Sequence, residues 1–410
     1  MAIKGGQILH TANGFLIDRI QTAGISSLNI NEERLEELGN YQAIGTIRDI
    51  PDLSFELESY DMSTAIENIL TGRDETFATG GTELDLVANY QPIDVLSPFK
   101  TGPTGDSIIK SIAIPALYLE SLSYNFSLTD PAALTTTLRG DSLFYSPGDV
   151  YREHFDGDGS TALFTLGTDG TGGTGGVGPT LKTIIGGVDY WVLGVLVDGV
   201  RQFQGAGYDY TATSTAVTFE AGSIPIVGVE NIQIVYALAA VQDYAPAVHD
   251  STVPIAVRGR DIEVIVSDSG GGNPVAWTGV QSGSVDWRVS LERDEEFNNP
   301  NVVGQDFDIP EVSGSISLKP ADATSLWDKI MQAAGITASD EVANATNDVP
   351  ELDVEVIFKD PSDGSTTKTL IIPDAKFTLP SLQGSVGSKL ETDFAYTSAG
   401  GTLEVYVGDN

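Results

Sequence analysis

Catalysis near neutral pH needs groups that exchange protons or attack as nucleophiles, and this chain is poor in them. Its 410 residues include three histidines, His10, His154 and His249, and no cysteine. Cysteine–histidine chemistry and thiolate metal sites are therefore excluded. The histidines fall near the edges of the units described below and read as exposed linker residues. No serine sits in a nucleophile-elbow sequence, no Gly-rich loop ends in Lys-Ser/Thr, and there is no His-Glu-x-x-His. Asp156-Gly-Asp158-Gly-Ser160 has carboxylates spaced to turn inward around a hard cation. It lacks the later bidentate glutamate of a calcium loop, which favours a tight turn leading into a strand. The Gly170–Gly178 tract is too short and irregular for a calcium-binding β-roll. Carboxylates are too plentiful for counting to exclude a glycoside-hydrolysing pair, but nothing singles one out. The expectation is a chain without catalytic residue, metal or cofactor.

Charge excludes more. There are 58 acidic and 21 basic residues, a formal net charge of −37. Long-range attraction to a nucleic-acid backbone or an anionic membrane is therefore not the main activity. Only 19% of residues are charged, and Gly, Thr, Ser and Val are abundant. That composition suits antiparallel sheets and not a disordered acidic tail; a salt-loving host is a second source of an acidic surface. No run of about 18 apolar residues occurs, which excludes a membrane-spanning helix. The opening MAIKGGQILH lacks the apolar core of a signal peptide, so synthesis in the cytoplasm without export is expected.

The charges with an informative pattern are Glu32, Glu33, Arg34, Glu36 and Glu37, because a second set, Glu292, Arg293, Asp294, Glu295 and Glu296, stands 259 residues on. Each set lies between two strands, where a charged segment is either a solvated hairpin tip or a subunit contact. The surrounding elements repeat too. EELGNYQAIGTIRDIP, 36–51, returns as EEFNNPNVVGQDFDIP, 295–310, and both run into an alternating strand. A short helix follows each, Asp61–Gly72 and Ala321–Gly335, with apolar positions at helical spacing. Lys110-Ser-Ile-Ala-Ile-Pro115 lands on Lys368-Thr-Leu-Ile-Ile-Pro373 at an offset of 258. Each half closes on a glycine turn and a strand. Turn chemistry shared by two unrelated β domains would not reproduce this order, so we read a duplicated domain and not a solenoid unit.

Hairpins are expected at 94–99 with 107–114 and at 352–358 with 367–372, each ending at Ile-Pro, where proline belongs on an edge or at a strand end. A strand is placed near 7–9. Residues 146–249 have no partner elsewhere. They read as a strand preceded by a glycine turn within Phe155–Leu166, a low-complexity loop at 167–179, a hairpin turning at Asp198-Gly199, and strands at 208–213, 216–219 and 231–236. The expected fold is mainly β: two tandem barrel or sandwich domains, 1–146 and 250–410, each with one short flanking helix, and an inserted β-sandwich at 147–249.

The order FDGDGSTALFTL, VLVDGVRQ, YDYTATSTAVTFEAG, NIQIVYA resembles a small β-sandwich module of tailed-phage structural proteins. The repeated unit, through GTIRDIPDLSFELESYDMSTAIENILTG, its copy GQDFDIPEVSGSISLKPADATSLWDKIMQAAG and the closing IIPDAKFTLP and GGTLEVYVGDN, resembles the major tail tube protein of tailed phages. This second resemblance covers about three quarters of the chain. It implies barrels closing into rings around a lumen, six to a ring, and hence three duplicated chains per ring. The implied partners are further copies of the chain, a tape measure protein, tail-tip and terminator proteins, and double-stranded DNA in passage. A host-surface glycan for the middle module is a further implied ligand, and the virion tail, assembled in the host cytoplasm, the implied location. The two charged sets become contacts between subunits or rings. A capsid-decorating or surface adhesin is the rival expectation, and a carbohydrate-active enzyme a weaker one.

Overall fold

The computed structural model describes residues 10–12, 15–29, 32–35, 45–48, 51–70, 93–100, 108–146, 150–166, 190–198, 200–205, 207–213, 216–238, 254–269, 271–277, 280–295, 302–319, 324, 326, 328–330, 351–378, 392–398 and 400–408. The strands form because apolar residues alternate. Along Asp52–Ser59, Leu53, Phe55 and Leu57 are buried between polar neighbours, and along Ala133–Gly140 every second residue is buried.

The first part of the chain carries β1 (Thr11–Ala12), β2 (Phe15–Leu16), β3 (Ile20–Asn29), β4 (Glu32–Leu35), β5 (Gly45–Arg48) and β6 (Asp52–Ser59). Helix α1 (Ala65–Leu70) is followed by β7 (Ile93–Lys100), β8 (Ile108–Ser127), β9 (Ala133–Gly140) and β10 (Phe144–Ser146). The middle has β11 (Val150–Gly157), β12 (Leu163–Thr165), β13 (Tyr190–Val197), β14 (Val200–Gln202), β15 (Tyr210–Ala212), β16 (Ala216–Phe219) and β17 (Gly228–Leu238). The last part has β18 (Ile262–Asp268), β19 (Gly272–Trp277), β20 (Val280–Arg288), β21 (Leu291–Glu295), β22 (Val302–Phe307) and β23 (Glu311–Leu318). It ends with β24 (Glu351–Lys359), β25 (Thr366–Phe377), β26 (Thr392–Ser398) and β27 (Glu404–Val407). The molecule is mainly β, as expected.

Pairing in the first part is reproduced in the last, register included. β3 pairs β6 with Asn29 opposite Asp52 and Leu28 opposite Leu53; β20 pairs β23 with Arg288 opposite Glu311 and Trp287 opposite Val312, each residue 259 further on. β7 pairs β8 from Ile93 opposite Leu117 to Lys100 opposite Ile108. β24 pairs β25 from Glu351 opposite Lys376 to Lys359 opposite Thr366, with Leu352 opposite Ala375 in the place of Ile93 opposite Leu117 and register slips at the same two places. β6·β9 matches β23·β26, β8·β10 matches β25·β27, and the separate hairpin β4·β5 matches β21·β22. Helical residues follow β23 as α1 follows β6, and Leu326 and Ile330 are buried there as Ile66 and Ile69 are in α1.

The two parts are fused. β20 lies between β23 and β8, pairing with the far end of β8 from Ser282 opposite Ser127 to Arg288 opposite Ser121, so sixteen strands form one sheet. One apolar core runs through both, with Phe358 of β24 stacked edge-on against Phe126 of β8. The middle packs β11-β17-β13-β14 and β12-β16-β15 around a core of its own that includes Phe155, Phe164, Phe219 and Tyr236. It touches the first part through Val235 against Ala113 and through the ion pair Arg201–Asp141 at 2.7 Å.

Several local expectations are corrected. Pro115 and Pro373 do not end strands; β8 and β25 run through them. Each proline sits at a slip between paired stretches, Ile114 to Leu117 and Ile372 to Ala375, where no ladder N–H is required. Within Phe155–Leu166 the glycine turn follows β11, which ends at Gly157, and leads into the short strand β12. His10 is partly buried, with Nδ1 2.9 Å from Ser97 Oγ, and His154 is buried on β11, so neither is an exposed linker residue. His249, Gln7–Leu9 and the loop at 167–179 lie outside the described residues.

Candidate assembly surface

The sequence placed its candidate residues on two charged segments, and both are hairpins standing off the main sheet. Glu32, Glu33 and Arg34 lie on β4, Glu292, Arg293, Asp294 and Glu295 on β21, whereas Glu36, Glu37 and Glu296 lie outside the described residues. Glu292 is exposed. Arg293 is not: it reaches back onto the first part of the chain, donating from Nη2 to Asp52 Oδ1 at 2.6 Å and to Gly140 O at 3.1 Å, and from Nη1 to Pro51 O at 3.1 Å. Asp52 also accepts a two-pronged pair of bonds from Arg139, both at 3.0 Å. The Arg139 bonds, with the Arg293 charge behind them, hold the Asp52 carboxyl below the usual carboxylate range.

Beneath this arginine clamp the junction is ionic in its interior. The carboxylate of Glu67 on α1 and the ammonium of Lys368 on β25 form a fully buried ion pair. Tyr124 Oη on β8 donates to Glu67 Oε1 at 2.6 Å, and the Lys368 nitrogen lies 5.3 Å from the Tyr124 ring centre. Burial, and then the Glu67 charge, push the Tyr124 hydroxyl well above its ordinary pKa, so it stays a donor. At the helix entry Asp61 accepts from Ser63 N at 3.0 Å and from Ile255 N at 2.8 Å, so the turn that starts α1 also ties down the last part of the chain. Asp286 on β20 accepts from Ser123 on β8. The Lys368–Glu67, Ile255–Asp61 and Ser123–Asp286 contacts each join one repeat to the other.

The remaining chemical candidates resolve into structure. Asp158 accepts from Ser160 N at 2.7 Å, Thr161 Oγ1 at 2.6 Å and Thr161 N at 2.5 Å, and these bonds, led by those from Thr161, lower its pKa. This is the tight turn, not a cation loop. Among the described residues no cluster of three His, Asp or Glu could hold a metal. A cleft of about 330 Å³ opens between β10 and the middle sheets, lined by Arg201, Gln202, Phe203, Tyr208 and Tyr210.

Sequence reasoning named Arg293 but missed Asp52, Arg139, Glu67 and Tyr124. Asp52 had left a signal, since an acid follows Ile-Pro in both copies, Asp52 and Glu311. Lys368 was recognised only as a strand marker. No protein-family model matches the chain, and no curated protein matches it significantly.

Proposed function

We propose that the chain is a structural subunit of a viral tail tube, in which tandem tube domains at 1–146 and 250–410 occupy adjacent places in a ring and the module at 147–249 projects outward. The observation that carries this reading is the β8–β20 junction: two copies of one strand pattern meet through unlike edges, β8 of the first against β20 of the second. A head-to-tail contact between like units is not self-terminating; repeated, it closes a ring or makes a filament. With six units per ring, the number implied by resemblance, three chains close the circle, carrying 3 × −37 = −111 formal charges. An acidic wall repels the phosphates of transiting double-stranded DNA, so the genome slides without sticking.

Stacked rings would form the tube, with a tape measure protein setting its length and tail-tip and terminator proteins closing its ends. The outward module clashes with a contractile sheath, which favours a non-contractile tail. Because the second hairpin is engaged within the chain by Arg293, we assign ring-to-ring contact to the acids that stand further along each charged segment in sequence, Glu36, Glu37, Glu295 and Glu296. Negative-stain electron microscopy of the purified protein tests the reading: hollow rings or tubes support it, and compact single particles at all concentrations defeat it. The runner-up, a surface or capsid-decorating adhesin, draws support from the aromatic and amide lining of the middle cleft, which suits a sugar. Glycan binding lost in Tyr208→Ala, by a protein that never forms rings, would favour it.

A further inference from the structure

We propose that a second copy of this chain docks against the β3–β4 side of the first, and that Arg34 of one copy pairs with Glu311 of the other. The inference rests on the ring reading above and gives it a residue-level contact.

The argument comes from comparing equivalent positions. On β4 and β21, Arg34 opposite Thr46 corresponds to Arg293 opposite Gln305, both 259 residues on. Arg293 grips Asp52 at the start of β6, and the equivalent of Asp52 at the start of β23 is Glu311. Glu311 is exposed. Thr397 stands at the place of Arg139, each opposite the residue two beyond the acid, and the arginine beside Glu311 within its own repeat is instead Arg288, directly opposite it where Asn29 stands opposite Asp52. The arginine and the acid thus recur at equivalent positions of the two repeats, and within the chain they are joined once, as Arg293–Asp52.

Exposure differs between the copies where this requires. Trp287 on β20 is buried at the junction opposite Leu122, whereas its equivalent on β3, Leu28, is 43% exposed. Lys368 is buried against Glu67, whereas its equivalent Lys110 is exposed. Beside Glu311, Ile309 is 82% exposed. Among the described residues β3 pairs on one edge only, with β6, and its ten residues make it the longest such strand of the large sheet. The corresponding edge of β20 is the one taken by β8. A long unpaired edge invites a further strand, and here an apolar residue and an arginine flank it while an acid and an apolar residue wait on the opposite side. A second copy supplies both sets, and the covalent junction is the pattern for the contact.

The test is charge exchange in the full-length protein, read by sedimentation velocity and light scattering across a concentration series, with circular dichroism to verify folding. Arg34→Glu and Glu311→Arg should each weaken self-association about tenfold or more, and the double exchange R34E/E311R should recover most of it. Arg34→Gln and Glu311→Gln, which only remove charge, should show a smaller loss of the same sign. If the wild type forms rings and neither single exchange weakens them, this contact is wrong while the tube reading stands. If singles weaken association but the double does not recover, the pairing is wrong. A wild type that stays monomeric overturns both.

Discussion

A buried ion pair is weak grounds for stability but strong grounds for specificity, and Glu67–Lys368 shows why. Desolvating both groups costs several kcal/mol, offset only because each finds its counter-charge and Tyr124 donates to the carboxylate. Removing one partner leaves an uncompensated charge in the core. We expect Lys368→Met or Glu67→Gln to destabilise the chain by about 3–5 kcal/mol in urea unfolding, and the double replacement by apolar residues to cost far less than the sum. His10 supplies a pH effect of definite sign. Burial lowers its pKa from 6.5 to about 4, so as pH falls the unfolded chain takes up the proton first. Stability should fall between about pH 6.5 and 4 by roughly 2–3 kcal/mol and flatten below. His10→Asn should remove that slope. Neither feature was legible beforehand, because burial at 10, 67 and 368 is fixed by strands distant in sequence.

At the scale of elements most of the fold was legible, because alternation and turn chemistry are local. Most of the strands, α1 and the hairpin of β13 with β14 followed from residues a few places apart. What hid was compensation across strands. Phe55 opposite Leu138 in the first copy becomes Gly314 opposite Tyr396 in the second, so bulk moves from one strand to its neighbour and the sequences diverge while the space stays filled. A Cβ on Gly314 would sit 2.3 Å from both Ser284 O and Tyr396 Oη. Gly314→Val should therefore cost about 2 kcal/mol or more, read as a lowered thermal midpoint, and Gly314→Val with Tyr396→Leu should recover part of it. The prolines misled for a related reason: strand length depends on what lies on either side, and β8 continues past Pro115 because β9 takes over from β10. The hairpins β4·β5 and β21·β22 were visible as charged segments, yet only the structure shows that Arg293 of the second reaches back to grip the first repeat. Reversing Glu36 and Glu37 to lysine should leave rings that no longer stack; tubes of normal length would defeat that assignment.

The large sheet of the described residues is a strip with unlike ends, and the net charge bears on how copies of such a strip could close into the proposed ring. Copies bearing −37 each repel at long range, so association must come from short-range contacts such as edge pairing, apolar cover and the arginine–acid clamp. Screening should therefore help: raising salt from about 0.02 M to 0.3 M shortens the screening length from roughly 20 Å to about 6 Å and should promote ring formation. A protein assembled mainly by exposed ion pairs would respond in the opposite direction. The same repulsion makes a definite statement about DNA. Binding driven by phosphate contacts strengthens as salt is lowered; this chain should show no retention of double-stranded DNA even at low salt, by gel shift or by filter binding. Retention that grows as salt falls would reveal a basic surface hidden from the net charge, and an acidic conduit would then be the wrong picture of the lumen.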